Sequence, residues 1–303
     1  MIKYSIIIPH YNSPDLLIRC LKSIPVREDI QVIVVDDCSP EADTYLMKYA
    51  ELSRPYLELY STGTNGGGGK ARNVGLQYAK GKWVLFADAD DSFVNGYIDL
   101  LEKYYSTSAD IVFFRARCFN EAGKEVRGIK EKLYELYEQR GDDRVFRYCY
   151  TEPWGKMLRR SLIVDNDIKF EEVIVANDFL FSVKTGYYSK EVIISHEYLY
   201  NYTIMKSSTS RGKMSEKKVV ARLVENVKVQ KFLDLHDVKT NYNLLSYVTR
   251  LKMFFPIITS TEKEVYKDMN YSIMLVLKDR IRLLIRRLLN SQTDLDSASR
   301  IFK

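Results

Sequence analysis

A chain of 303 residues with 46% hydrophobic and 28% charged residues can bury a substantial core, and suits one large domain or two unequal ones. The net charge of +6 gathers toward the C-terminal third, and no apolar run approaches the roughly 18 residues needed to span a bilayer. Cys20, Cys38, Cys118 and Cys149 are scattered without CxxC spacing, which argues against a zinc site or a disulfide framework and points to a reducing, cytoplasmic setting.

Met1 to Tyr4 runs straight into the first strand pattern, without the regions of a signal peptide. Tyr4 to Pro9 is an apolar run that predicts a buried strand, and Pro14 to Ile24 has apolar positions at helical spacing. Ile30 to Asp36 predicts a second buried strand, a helix follows near 43 to 53, and Leu57 to Ser61 is the third strand. A helix runs from Gly69 to Tyr78, then come strands at Trp83 to Ala87 and Ile111 to Ala116. Strands interleaved with helices predict an α/β fold built on a mainly parallel sheet with right-handed crossovers. Beyond 117 the alternation fades into a Tyr-rich stretch that reads as a strand turn and a helix. Pro153 to Lys156 reads as a turn, and helices start near Ser161 and Asn177. Val192 to Ile194 and Tyr198 to Tyr202 read as edge strands, and from about Ser215 the pattern is wholly helical.

Open α/β sheets bind ligands at the carboxyl edge of their strands. Here that edge carries Pro9-His10-Tyr11-Asn12, Asp36-Asp37 and the acidic run Asp88, Asp90, Asp91. Like charges this close need a cation or hydrogen-bond donors, and a hard divalent ion is a natural compensator. An EF-hand counted from Asp88 fails, because Phe93 stands where glycine is required. Asp36 and Asp37 could equally cap the following helix. Asp37 could also accept hydrogen bonds from a base or ribose, with Tyr11 stacking on the base.

Thr64 to Gly75 contains four consecutive glycines followed by Lys70 and Arg72. It is not a P-loop, since Thr64 and Ala71 occupy positions that need Gly and Ser or Thr. Nor is it a dinucleotide fingerprint, since it follows the third strand rather than the first. Two readings stay open: a flexible loop feeding a helix, or a loop delivering Arg72 to an anionic ligand. Asp178 is a single carboxylate in an apolar stretch, suited to a general base with a raised pKa or to a helix N-terminus. His196 is one of three histidines and is read either as a structural residue or as a metal ligand.

The ordered set of motifs resembles the family 2 glycosyltransferases of the GT-A fold. The matching stretches are S-I-I-I-P-H-Y-N (5 to 12), V-I-V-V-D-D-C-S (32 to 39), N-G-G-G-G-K-A-R-N-V-G (65 to 75) and A-K-G-K-W-V-L-F-A-D-A-D-D (79 to 91). P-W-G-K-M-L-R-R-S-L-I (153 to 163), Asn177-Asp178 and S-S-T-S (207 to 210) complete the series, which covers residues 1 to about 212. The resemblance implies a GT-A domain over 1 to 212 and a helical region over 213 to 303. It implies an inverting transferase of bacterial surface-polysaccharide type that uses a nucleotide-diphosphate sugar, UDP by analogy, together with Mg²⁺ or Mn²⁺. Pro9, Tyr11 and Asp37 then bind the nucleotide, Arg72 the base or diphosphate, and Asp88 the ribose or metal. Asp90 and Asp88 ligate the metal, and Asp178 is the base acting on a hydroxyl of a saccharide or lipid-linked acceptor. Where the family usually has Glu-Asp, this chain has Asn177-Asp178.

The segment 276 to 290 sets Leu277, Ile281, Leu284, Ile285 and Leu288 on one helical face flanked by basic residues. It reads either as packing on its own domain or as peripheral docking on the inner face of an anionic membrane, and the absence of interleaved aromatics argues against nucleic acid. Two other functions remain open: a non-catalytic nucleotide- or polysaccharide-binding module on the same fold, and a nucleotidyltransferase.

Overall fold

A computed structural model describes residues 1–40, 55–128, 130–205 and 215–238. The chain divides into two compact units, Met1–Met214 and Ser215–Lys303. The expected helix near 43 to 53, the S-S-T-S motif at 207 to 210 and the basic helix at 276 to 290 lie outside the described residues.

The first unit is built on a nine-stranded sheet. Strand β1 (Tyr4–His10) is almost wholly buried and pairs in parallel with β2 (Ile30–Asp36) on one side and β4 (Trp83–Phe86) on the other. Strand β3 (Leu57–Ser61) lies beyond β2, also parallel. The chain therefore moves outward through β1, β2 and β3 and then returns to the opposite flank of β1. This places the topological switch point, where α/β sheets open a crevice, between β1 and β4.

Helix α1 (Pro14–Lys22) follows β1. Proline opens it, Asp15 sits in its first turn, Arg19 and Lys22 lie in its last, and Leu17, Cys20 and Leu21 face the core. Helix α2 (Gly67–Tyr78) follows β3 and begins inside the glycine run.

Beyond β4 the sheet becomes mixed, in the order β3-β2-β1-β4-β8-β6-β9-β5 with β7 on the flank of β6. The short β5 (Ser92–Phe93), helix α3 (Tyr97–Tyr104), β6 (Ile111–Asn120) and β7 (Glu125–Val126) come next in the chain. Helices α4 (Glu131–Arg140) and α5 (Arg144–Cys149) lead to β8 (Lys156–Arg159), which is antiparallel to both β4 and β6. This strand falls where the sequence reads as turn and helix. Its four residues are too short to show a period of two, and three of them are buried. Helices α6 (Arg160–Asp165) and α7 (Phe179–Tyr188) follow.

The expected pair of edge strands is one 13-residue strand, β9 (Val192–Ile204), held inside the sheet between β6 and β5. Ser195, His196 and Glu197 interrupt its apolar pattern where the β6–β9 register shifts. In the second unit, α8 (Glu216–Leu235) begins at Ser215, whose side chain accepts from the backbone N–H of Lys218.

The segment 170–178 is docked on α2. Asn73 holds the backbone of Phe170 at both ends of its carboxamide: Nδ2 donates to the Phe170 carbonyl at 2.9 Å, and the Phe170 N–H donates to Oδ1 at 2.8 Å. The Phe170 ring stacks on Phe181 at 3.8 Å and meets Phe86 edge-on at 5.1 Å, which roots the segment in the core beneath β4. Gly69 makes the approach possible, since a Cβ there would lie 2.1 Å from the Glu171 carbonyl oxygen and 2.9 Å from Cβ of Asn177. Replacing Gly69 with alanine is expected to lower stability by about 1–3 kcal/mol through overpacking, measured as the denaturant midpoint. The same loss at Gly96, where a Cβ meets nothing within 4 Å, would instead report backbone strain at φ +75°.

Candidate active site

The loops that leave β1, β2 and β4 meet the start of α2 and the 170–178 segment. At the β1 exit, His10 Nδ1 lies 2.9 Å from Asp36 Oδ1, while His10 Nε2 accepts the Ser13 N–H at 3.1 Å. An accepting Nε2 leaves the ring hydrogen on Nδ1, directed at Asp36. The Ser39 N–H and hydroxyl complete the Asp36 carboxylate at 2.8 and 2.6 Å, and Ser39 Oγ accepts the Asn12 N–H at 2.7 Å. Pro9 lies within β1, and Tyr11, just beyond it, stands 49% exposed over this rim.

Asp37 is buried and turned toward the glycine run. Its carboxylate accepts the Gly67 N–H at 2.6 Å, the Gly66 N–H at 3.0 Å and the Thr62 hydroxyl at 2.8 Å. It therefore supplies the N-terminal acceptor that the glycine-capped α2 lacks. The helix it caps is α2, which follows β3, and not the helix expected after β2, which lies outside the described residues.

Arg72, on α2, is 7% exposed and joins two parts of the site. Its Nη2 donates to Asp88 Oδ1 at 2.6 Å and its Nη1 to Asn177 Oδ1 at 3.0 Å, with the guanidinium 5.4 Å from the centre of the Phe170 ring. The Nε hydrogen has no acceptor among the described residues. The departure at Asn177 thus has a structural counterpart, because its carboxamide oxygen accepts from Arg72 where a carboxylate would otherwise stand.

Asp88, Asp90 and Asp91 bring one oxygen each within 4.8 Å of one another. The Asp88 N–H donates to the Tyr200 hydroxyl at 2.8 Å, and Asp91 Oδ1 accepts the Thr203 N–H at 2.8 Å, so β9 shapes the cluster from the far side. Asp91 is 1% exposed and its Oδ2 has no partner among the described residues. Loss of solvent, then the nearby Asp88 carboxylate, pushes the Asp90 carboxyl up to about 6. The same two causes, with Asp90 added, hold Asp91 well above the usual carboxylate range. Three carboxylate oxygen donors, with a buried and unpartnered oxygen on Asp91, fit a hard divalent cation such as Mg²⁺ or Mn²⁺.

His196 stands apart from this cluster. Its ring contacts Arg115 at 3.3 Å and Glu138 at 3.4 Å, and packs on Tyr134. Six residues of β9 lie between it and Thr203, a span of roughly 20 Å along the strand. The reading of His196 as a metal ligand is therefore corrected to a structural role.

Asp178 sits at the N-terminus of α7, half-buried, after Ala176 at φ +60°. Withdrawal from solvent, then the carboxylate of Glu152, pushes its carboxyl up to about 6. Below it Lys156 is wholly buried and lowered to about 7 by desolvation. Asn73, Tyr200, Glu152 and Lys156 are the contributors that sequence reasoning left without a role. Of these, Asn73 and Lys156 lie inside the motifs, whereas Glu152 and Tyr200 carry no local signal.

The model of Glycosyl transferase family 2 matches residues 5–178. The chain belongs to this family. Poly(ribitol-phosphate) beta-N-acetylglucosaminyltransferase TarS of Staphylococcus aureus is 31% identical over 214 residues, which are 67% of this chain and 35% of that protein. The family 2 chain thus spans about a third of that relative's length. The crystal structure of S. aureus TarS 1-349 in complex with UDP-GlcNAc superposes with a TM-score of 0.61 at 24% identity, covering 84% of this chain and 73% of that one. The mannosyltransferase PcManGT from Pyrobaculum calidifontis, in complex with GDP-Man and Mn²⁺, gives 0.54 at 16% identity, covering 95% and 80%. These likenesses establish the GT-A fold. No helix among the described residues is long and apolar enough to cross a membrane.

The acidic cluster makes a stability prediction. A carboxyl whose pKa is raised on folding binds its proton more tightly in the folded state. Its contribution is therefore fully present below the ordinary carboxylate pKa and is lost as pH rises, for Asp90 through about 6. At pH 7.5 the ionised cluster opposes folding unless a cation is bound. Asp91→Asn, which keeps the acceptor for Thr203, is expected to raise the melting temperature of the EDTA-treated protein and to remove most of the rise given by Mn²⁺. The gap between variant and wild type should close as pH falls toward 5.

Proposed function

We propose that this chain is an inverting glycosyltransferase that moves a sugar from a UDP-sugar to a hydroxyl of a saccharide or polyol-phosphate acceptor. The observation that carries the reading is Arg72, whose guanidinium binds the acidic cluster through Asp88 and the segment carrying Asp178 through Asn177. Donor-side and acceptor-side carboxylates thus share one rim. Family membership and the UDP-GlcNAc complex of a fold relative support the donor class, and the polymer named for TarS supports an anionic acceptor.

In this reading the nucleotide lies across Pro9, Tyr11 and the Asp37-braced glycine loop, with the exposed Tyr11 ring against the base. Asp88, Asp90 and Asp91 would hold Mg²⁺ or Mn²⁺, which would act as a Lewis acid toward the charge growing on the departing diphosphate. Arg72 orients Asp88 within that group. Asp178 takes the proton of the acceptor hydroxyl, and the oxygen attacks the anomeric carbon from the face opposite the diphosphate, which inverts its configuration. A carboxyl pushed up to about 6 is a better proton acceptor than an ordinary aspartate and is still ionised at neutral pH.

The non-catalytic alternative rested on Asn177. Its bond to Arg72 gives that residue a place in an intact site, and the base beside it is kept. Asp178→Asn is expected to lower sugar transfer by about 10²–10⁴-fold at pH 7.5 with donor affinity little changed. In the wild type, kcat should fall as pH drops through about 6, where Asp178 takes up a proton. Donor turnover by Asp178→Asn equal to that of wild type would overturn the assignment of the base.

A further inference from the structure

The loop between β4 and β5, which carries the acidic cluster, is held by two other elements. From β9, the Tyr200 hydroxyl accepts the Asp88 N–H at 2.8 Å, and the Thr203 N–H donates to Asp91 Oδ1 at 2.8 Å. Asn201 Nδ2 donates to Ser92 Oγ at 3.3 Å and to the Phe93 carbonyl at 3.4 Å, while the Leu199 carbonyl accepts the Val94 N–H at 3.1 Å. From α1, Arg19 donates to the Asp90 carbonyl, and Ser23, just past the helix, accepts the Phe93 N–H at 3.0 Å. Asp88 is therefore gripped twice. Arg72 binds its carboxylate at 2.6 Å, and Tyr200 fixes the backbone from which that carboxylate projects.

Tyr200 is wholly buried, stacked on Trp154 at 5.4 Å and set edge-on to Phe93 at 5.6 Å, so its hydroxyl has little freedom. The interruption at Ser195 to Glu197 aims it. Uninterrupted alternation would put Tyr200 on the same face of the sheet as Ile194. Instead Ile194 pairs with Phe113 and Tyr200 with Ala116, three positions further along β6, which puts the two on opposite faces. We propose that Tyr200 is a positioning residue for the divalent cation: turned by this bulge, its hydroxyl holds the Asp88 backbone so that the three carboxylates converge on one ion. The inference rests on the reading of Asp88, Asp90 and Asp91 as the ligands of that cation. Three like charges this close repel one another, and an Asp88 N–H without a partner would let the loop relax and the carboxylates part. The cation would then have to regather them, and would bind more weakly. A packing role alone would be served equally by phenylalanine, which keeps the ring and both aromatic contacts and loses only the oxygen.

The test uses the full chain as wild type, Tyr200→Phe, Asn201→Ala and Asp91→Asn, stripped with EDTA, dialysed and checked for folding by thermal melt. Binding of Mn²⁺ alone, without nucleotide or acceptor, is followed by the electron paramagnetic resonance signal of the free ion. Wild type is expected to bind the ion, and Asp91→Asn, which removes a ligand charge, to lose most of that binding. Tyr200→Phe is expected to fold and to weaken Mn²⁺ binding about tenfold, the lower end of what losing a hydrogen bond that supports a metal ligand does. Asn201→Ala should weaken it in the same direction and by less. Mn²⁺ affinity in Tyr200→Phe equal to that of wild type, whatever its melting temperature, would mark Tyr200 as packing only and overturn the proposal. If Tyr200→Phe does not fold, Asn201→Ala decides, and wild-type affinity there overturns it. No binding by wild type, or binding undiminished in Asp91→Asn, removes the cation site and the inference with it. UDP binding, measured separately by calorimetry, tests the donor reading: its absence would sink that reading while the Mn²⁺ affinities still judge Tyr200.

Discussion

The placement of Arg72 between Asp88 and Asn177 is the constraint on which the rest of the site depends. Helix α2 carries it, and α2 is in turn anchored by Asp37 at its glycine end and by the Asn73 clamp on Phe170. Arg72 is buried while the Asp88 side chain is partly exposed, so the pair lies between a surface ion pair and a fully buried one. The acidic cluster and the 170–178 segment are therefore joined through this side chain as well as through the Phe86–Phe170 contact beneath them. The cost is visible in the same residue, because a buried Nε–H without an acceptor is a penalty that the remaining bonds of the guanidinium must offset.

Among the described residues five non-glycine positions have positive φ; Asp167 and Asp237 follow α6 and α8, and the other three lie at the site. Asn12, Cys38 and Ala176 adopt positive φ without being glycine, at the exits of β1 and β2 and two residues before Asp178. Each such position costs on the order of 1–3 kcal/mol and persists only where its surroundings over-determine it. Here they do. Asn12 is held through Ser39, which is itself locked on Asp36, and the Ala176 carbonyl accepts the Phe179 N–H that opens α7. The strained residues turn the chain sharply enough for side chains from three loops to face one another.

The parallel half of the fold was legible because its inner strands β1, β2 and β4 are buried on both faces. Ile30 to Asp36 and Leu57 to Ser61 can be read from uninterrupted or nearly uninterrupted strand-forming runs, and both match their observed limits. The far half was not, because β8 is too short to show a period and β9 crosses a polar interruption at Ser195 to Glu197. The acidic run was legible from charge density alone. Arg72 carried a sign but no address: its cationic side chain suggests an anionic partner, while only the packing of α2 shows that the first anion it meets belongs to its own chain. Glu152 was invisible for a different reason, since its ion pair with Lys130 joins residues twenty-two positions apart. His196 misled because its residue type suggested ligation, whereas its place on β9 decided the outcome.

The aromatic stack behind the acidic cluster gives the molecule an optical property. Of the two tryptophans in the chain, Trp83 is sealed in β4 beneath the Arg159 guanidinium. Trp154 lies face to face with Tyr200 at 5.4 Å and Tyr202 at 5.1 Å. Tyr200 is the residue whose hydroxyl receives the Asp88 N–H, so the indole is one contact removed from the carboxylates. A rearrangement at Asp88 that displaces Tyr200 changes the surroundings of Trp154, while Trp83 lies sealed in the core. Ordinary fluorescence emission can therefore follow events at the rim without a label.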